Sequence, residues 1–108
     1  MGKEEPERLQ RDDATGKQLL TAILDRVGLP VRPCYCRGDV LRILGVKRQA
    51  FSRMVNFYDE YPDGRIVKPW MLDSFRVLGH YRVPFDDLTA WLERNREKAL
   101  ERIHKNDD

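Results

Sequence analysis

A chain of 108 residues with a formal net charge of +2 has room for one domain of moderate core size plus tails. No apolar run approaches the ~20 residues a membrane span needs, and the opening residues MGKEEPERLQ are charged, so neither a transmembrane helix nor a signal peptide is expected and a cytoplasmic location is the default. Cys34 and Cys36 stand one residue apart and the only histidines, His80 and His104, lie in unrelated contexts, which suits neither a disulfide framework nor a zinc site.

The distribution of charge says more than its sum. Residues 1–30 carry five basic and six acidic side chains, residues 31–84 ten and five, and residues 85–108 five and seven. The positive excess therefore sits in the middle of the chain, as expected of a phosphate-facing surface between more neutral ends.

Residues 1–14 are polar, without apolar periodicity, and read as a flexible tail; residues 15–105 are expected to form the folded domain. Thr15 suits a helix N-cap, Leu19, Leu20, Ile23, Leu24 and Val27 form one helical stripe, and Gly28 followed by Pro30 ends it. A helix of this length is unstable alone. Its stripe either completes the core or meets a dimer or other partner. Residues 29–36, LPVRPCYC, contain two prolines and read as an extended connector.

The stretch from Tyr35 to Phe57, YCRGDVLRILGVKRQAFSRMVNF, reads as two short helices around a tight turn. Val40, Leu41 and Leu44 recur at helical spacing in the first, and Phe51, Met54, Val55 and Phe57 in the second. Gly45 falls where the first helix must stop. Arg48, Gln49, Ser52, Arg53 and Asn56 remain on the outward face of the second helix. These groups hydrogen-bond phosphate oxygens and base edges, so the stretch is expected to be a DNA-binding helix-turn-helix. Arg37, Arg42 and Lys47 are either phosphate contacts or plain solubilising charges.

Residues 58–70, YDEYPDGRIVKPW, are rich in turn formers and carry Asp59, Glu60 and Asp63, which oppose phosphate contact. This loop is expected to face away from the duplex. In residues 75–83, FRVLGHYRV, Phe75, Val77, Tyr81 and Val83 alternate with Arg76 and Arg82 around Gly79, the pattern of a hairpin. Arg76, His80 and Arg82 would project from it toward solvent or phosphate. Pro84 suits the first turn of a closing helix and Asp86 and Asp87 its positive end. That helix is expected to run from about Phe85 to about Lys105, anchored by Leu88, Trp91 and Leu92. Ala99, Leu100 and Ile103 extend a thinner stripe that either frays or contacts a second molecule.

The run YCRGDVLRILGVKRQAFSRMV resembles the opening helix-turn-helix of excisionase-like, MerR-type winged-helix proteins, and FRVLGHYRVPFDDLTAWLERN resembles their wing and final helix. The resemblance implies a mainly α fold with a small β-hairpin wing: a winged helix-turn-helix with an added N-terminal helix and a long C-terminal helix. It further implies binding to double-stranded DNA, with the helix of residues 47–57 in the major groove and the hairpin of residues 75–83 on the backbone or minor groove. Arg48, Gln49, Ser52 and Arg53 would then fall on the base-reading face, and Arg76, His80 and Arg82 in or beside the wing. The chain differs from the family in three places: Lys47 stands where a serine or threonine cap is usual, the segment before the hairpin is longer and carries Trp70, Met71 and Leu72, and the N-terminal helix is extra.

Such a protein would be a transcription regulator, or an excisionase-type recombination directionality factor of a phage or mobile element with an integrase partner. A homodimer or cooperative assembly on DNA would supply the second half-site. Two other classes compete: an oligomeric adaptor such as a small terminase-like subunit, assembled through residues 95–105, and a protein-interaction module that does not touch DNA. An enzyme is not expected, and no cofactor or metal, because no nucleophile–base pair, phosphate loop or metal set is present.

Overall fold

Thr15 opens the first helix with a capping box: its hydroxyl accepts from the Gln18 amide at 3.1 Å and its own amide donates to the Gln18 side chain at 2.9 Å. The exchange satisfies two helix-end donors and contributes about 1 kcal/mol. The computed structural model describes residues 15–104; the tail expected over residues 1–14, and Lys105 at the end of the domain, lie outside them. Helix α1 (Gly16–Val27) buries Leu19, Leu20, Ile23 and Leu24 and stops at Gly28, whose φ of 77° is open to glycine at no steric cost. Of the two readings of its stripe, the core has it: α1 packs chiefly on α4 (Phe85–Arg94) and α5 (Arg96–His104). The approach to α4 is so close that a Cβ at Gly16 would lie 2.2 Å from the Thr89 carbonyl oxygen.

The connector contains more order than an extended linker. Cys34–Cys36 forms a short strand, β1. Tyr35, fully buried, accepts from the Arg32 amide at 2.9 Å and donates its hydroxyl proton to the Pro30 carbonyl at 2.7 Å. Helix α2 (Arg37–Leu44) follows directly and ends at Gly45, φ 68°. After a three-residue turn, helix α3 runs Arg48–Asn56. Lys47 precedes it without a side-chain cap, as its chemistry requires.

Strands β2 (Phe75–Val77) and β3 (His80–Pro84) pair through a two-residue turn, and β1 joins on the other side of β3, giving an antiparallel sheet in the order β1-β3-β2. The molecule is thus mainly helical, with five helices among the described residues and this one small sheet. The register corrects the expected alternation. Phe75 faces Arg82, Arg76 faces Tyr81 and Val77 faces His80, and directly opposed residues share a face of the sheet. Phe75 and Val77 therefore lie with His80 and Arg82 on the open face, and Arg76 lies with Tyr81 and Val83 on the face toward the core. A turn of two residues imposes this pairing, since a slip of one residue would exchange the faces. Pro84 ends β3 and stands at the N-cap position of α4, without a side-chain cap, and the helix begins at Phe85 as expected.

The single long C-terminal helix is also corrected. It breaks at Asn95 (φ −119°, ψ 47°) into α4 and α5, and α5 folds back over α1 to bury Ala99 and Leu100. Asn95 fixes the break by donating its side-chain amide to the carbonyls of Trp91 and Pro69, both at 2.8 Å. The stripe expected to fray or meet a second molecule is used within the chain. The longer segment of residues 58–74 is likewise packed. Met71 and Leu72 are buried, the Leu72 amide donates to the Met54 carbonyl at 3.0 Å, and Trp91 Nε1 donates to the Trp70 carbonyl at 3.0 Å. Among the described residues no helix is long and apolar enough to cross a membrane.

Candidate nucleic-acid interface

Helix α3 divides its residues cleanly. Phe51, Met54 and Val55 are buried, which turns Arg48, Gln49, Ser52, Arg53 and Asn56 outward as one strip, spaced i, i+1, i+4, i+5 and i+8. Lys47 stands at its start. Lys47, Arg48, Gln49 and Arg53 are exposed and Ser52 is half-buried, and the side chains of these five make no hydrogen bond or ion pair among the described residues. Cationic and amide donors held on a rigid helix without intramolecular partners are available to an external acceptor.

Asn56 is different. Its side-chain oxygen accepts the Tyr81 hydroxyl proton at 2.7 Å, so it ties α3 to the hairpin instead of facing outward freely. Tyr81 in turn meets the Phe51 ring edge-on at 5.4 Å between centroids, an arrangement aromatic quadrupoles favour. Arg76, expected to project toward solvent or phosphate, donates to the Tyr81 hydroxyl at 2.7 Å and lies over its ring, 4.6 Å from the centroid. Tyr81 is thus the hinge-pin between hairpin and helix. Nothing in the strand pattern distinguished it from a core aromatic.

Strand β3 runs two residues beyond its pairing with β1, and the space alongside is bounded by the first turn of α2. The result is a polar depression of about 290 Å³ lined by Cys36, Arg37, Gly38, Arg76, Gly79, His80, Tyr81 and Arg82. Four of the residues singled out from the sequence, Arg37, Arg76, His80 and Arg82, come together here at a helix N-terminus, where amide donors and the helix dipole add to the positive field. Tyr81 belongs both to this depression and to the contact with Asn56, so the depression is joined to the end of α3 through the Arg76–Tyr81–Asn56 hydrogen bonds.

Arg82 donates to the Tyr81 carbonyl at 3.0 Å, and several arginines away from this surface are occupied as well. Arg42, weighed as a phosphate contact or a solubilising charge, donates to the Val27 carbonyl at 2.6 Å and serves the end of α1. Arg32 pairs with Asp39 at 3.0 Å and Arg65 with Asp63 at 2.7 Å, holding the Asp63 carboxyl below the usual carboxylate range through its backbone and side-chain donors. Arg94 donates to the Met71 carbonyl at 2.7 Å, and burial lowers its affinity for a proton. Acids of the 58–74 segment act on Tyr58, just past the end of α3. Burial, a hydrogen bond with Glu60 and the charges of Asp73, Glu60 and Asp87 push the Tyr58 hydroxyl well above its ordinary range.

A larger and mostly apolar groove, about 590 Å³, lies between the turn after α2, Trp70 and the α4–α5 pair. It touches the outward row of α3 only through Arg53.

No family model matches the sequence, and no curated protein or solved structure is significantly similar to it.

Proposed function

We propose that the chain is a winged helix-turn-helix protein that binds duplex DNA in a sequence-specific way, with α2 and α3 as the helix-turn-helix and the β2–β3 hairpin as the wing. The observation that carries this reading is the outward row of α3, where Arg48, Gln49 and Arg53 have no hydrogen-bond partner among the described residues while Tyr81 and Phe51 fix the hairpin against the same helix. Arginine bonds guanine O6 and N7 in bidentate fashion and glutamine does the same at adenine, each worth about 1–3 kcal/mol of discrimination. The depression at the start of α2 supplies a place for a phosphate, with Arg37, Arg82 and His80 around it. A single copy offers few base contacts, so useful affinity calls for a dimer or neighbouring copies on DNA.

Within this class a transcription regulator and an excisionase-type recombination factor acting beside an integrase would use the same surface. The adaptor reading loses its main support, because the stripe on α5 that would assemble oligomers is buried against α1. The experiment is fluorescence anisotropy on labelled duplex with the wild type and the Arg48→Glu/Arg53→Glu variant. Loss of binding by a variant that keeps its wild-type circular dichroism is the expected result. Equal binding by both proteins would remove α3 as the reading element.

A further inference from the structure

Leu78, at the tip of the hairpin, is 94% exposed, more than any other large apolar side chain described. It is also the one described residue other than glycine with a left-handed backbone, at φ 52°, followed by Gly79 at φ 83°. Positive φ at both central positions defines a type I′ turn, for which Asn-Gly is the favoured sequence. Stability would therefore be served better by asparagine, which tolerates this backbone and is polar. A leucine there is disfavoured twice, by conformation and by exposure, and such strain at an exposed position points to a task outside the fold.

The surroundings specify the task. Val77, 44% exposed, stands beside Leu78, and Arg76, His80 and Arg82 flank the tip along the two strands. An apolar point with Arg76 and Arg82 on the two strands behind it fits a groove of duplex DNA: the guanidinium charges neutralise phosphates while the apolar group parts a base step. Tyr81, anchored to α3 through Phe51 and Asn56, pairs with Arg76, which stands two residues before Leu78 in the chain. At about 3.3 Å per residue the tip reaches roughly 7 Å past that anchor, toward the groove next to the one α3 would occupy.

We infer that Leu78, backed by Val77, is a wedge that inserts at a base step and kinks the duplex. The inference rests on the DNA-binding reading above and adds an architectural activity to it. Pyrimidine–purine steps unstack most easily, so the site should place one opposite the wing.

The test uses full-length protein and a duplex of roughly 30 base pairs, selected from a random pool by the wild type and labelled at its two ends. Wild-type protein should raise energy transfer between the ends. Leu78→Asn should still bind, several-fold more weakly, and leave energy transfer at the value of free DNA. Its melting temperature should equal or exceed the wild type's, because the favoured turn sequence is restored. Leu78→Phe, which keeps an apolar wedge, should keep the bend. Equal energy transfer with wild type and Leu78→Asn would overturn the inference. So would bound but unbent DNA with the wild type, which would leave the tip to a protein partner. Anisotropy of the same duplex reads binding separately, so absence of any binding would be recognised as failure of the DNA-binding reading itself.

Discussion

Arg94 on α4 and Arg53 on α3 are the same side chain put to opposite uses. Arg94 directs its guanidinium inward, to the carbonyls of Met71 at 2.7 Å and Pro69 at 3.4 Å. Arg102 does the same from α5, donating to the Arg42 carbonyl at 2.7 Å across the turn at Gly45. Arg26 reaches the Ile103 carbonyl and Arg42 the Val27 carbonyl. On this side of the molecule arginines join helix ends and loops through backbone carbonyls. On the α3 side Arg48 and Arg53 have no such partner among the described residues. A side chain with five donors and a fixed charge, exposed and without an internal acceptor, is open to water or to an external ligand.

Mutations that separate the two roles sharpen this contrast. Arg94→Ala should have the largest effect on stability, about 2–3 kcal/mol, because two carbonyls lose a charged donor. For a domain of this size that is a fall in melting temperature of roughly 10 °C, and DNA affinity measured well below the transition should be unchanged. Arg53→Ala should do the reverse. Stability should move by no more than about 0.5 kcal/mol, while affinity for a selected site falls by about 1–3 kcal/mol and preference relaxes at one base. A uniform loss across all sequences would instead make Arg53 a phosphate contact.

The smallest effect expected is at Asp87, on the acidic side. Burial and the neighbouring Asp73 and Asp86 raise its carboxyl above the ordinary carboxylate range, with Arg94 offsetting in part. A group whose pKa is raised by folding contributes its stability fully below the unfolded value, and that contribution is lost as pH rises through the folded one. Asp87→Asn should therefore raise the melting temperature slightly at pH 7, with the gain vanishing below about pH 4. A gain that persists into acid would place its cause in the helix end rather than in the charge.

Much of this architecture is readable from residue order, and the exceptions have a common origin. Apolar spacing and the glycines at 28 and 45 locate α1, α2 and α3, because these are local signals: a stripe, a cap and a backbone conformation. What local signals do not determine is which partner a polar group finds. The break at Asn95 lies among good helix formers, and its cause is a bond to Pro69, distant in the chain. The apolar stripe does lapse there, at a residue type that favours helix starts, and that lapse was the available clue. The strand β1 was hidden by the prolines that precede it and by its brevity, and the exposed face of Phe75 and Val77 by a turn whose length decides register. For the candidate site, the strip Arg48, Gln49, Ser52 and Arg53 followed from helical periodicity. The bonds of Arg76 and Asn56 to Tyr81 did not, since they depend on how a hairpin settles on a helix.

The central claim is that the outward donors of α3 and the start of α2 meet phosphate and base edges. The most direct measurement is an anisotropy titration of the wild-type chain against random-sequence duplex at two salt concentrations. Binding that weakens steeply with salt is expected, since each neutralised phosphate contributes about 0.9 to the slope of log K against log salt. Binding insensitive to salt, or none at the lower concentration, would contradict the account and turn attention to a protein partner for the same surface.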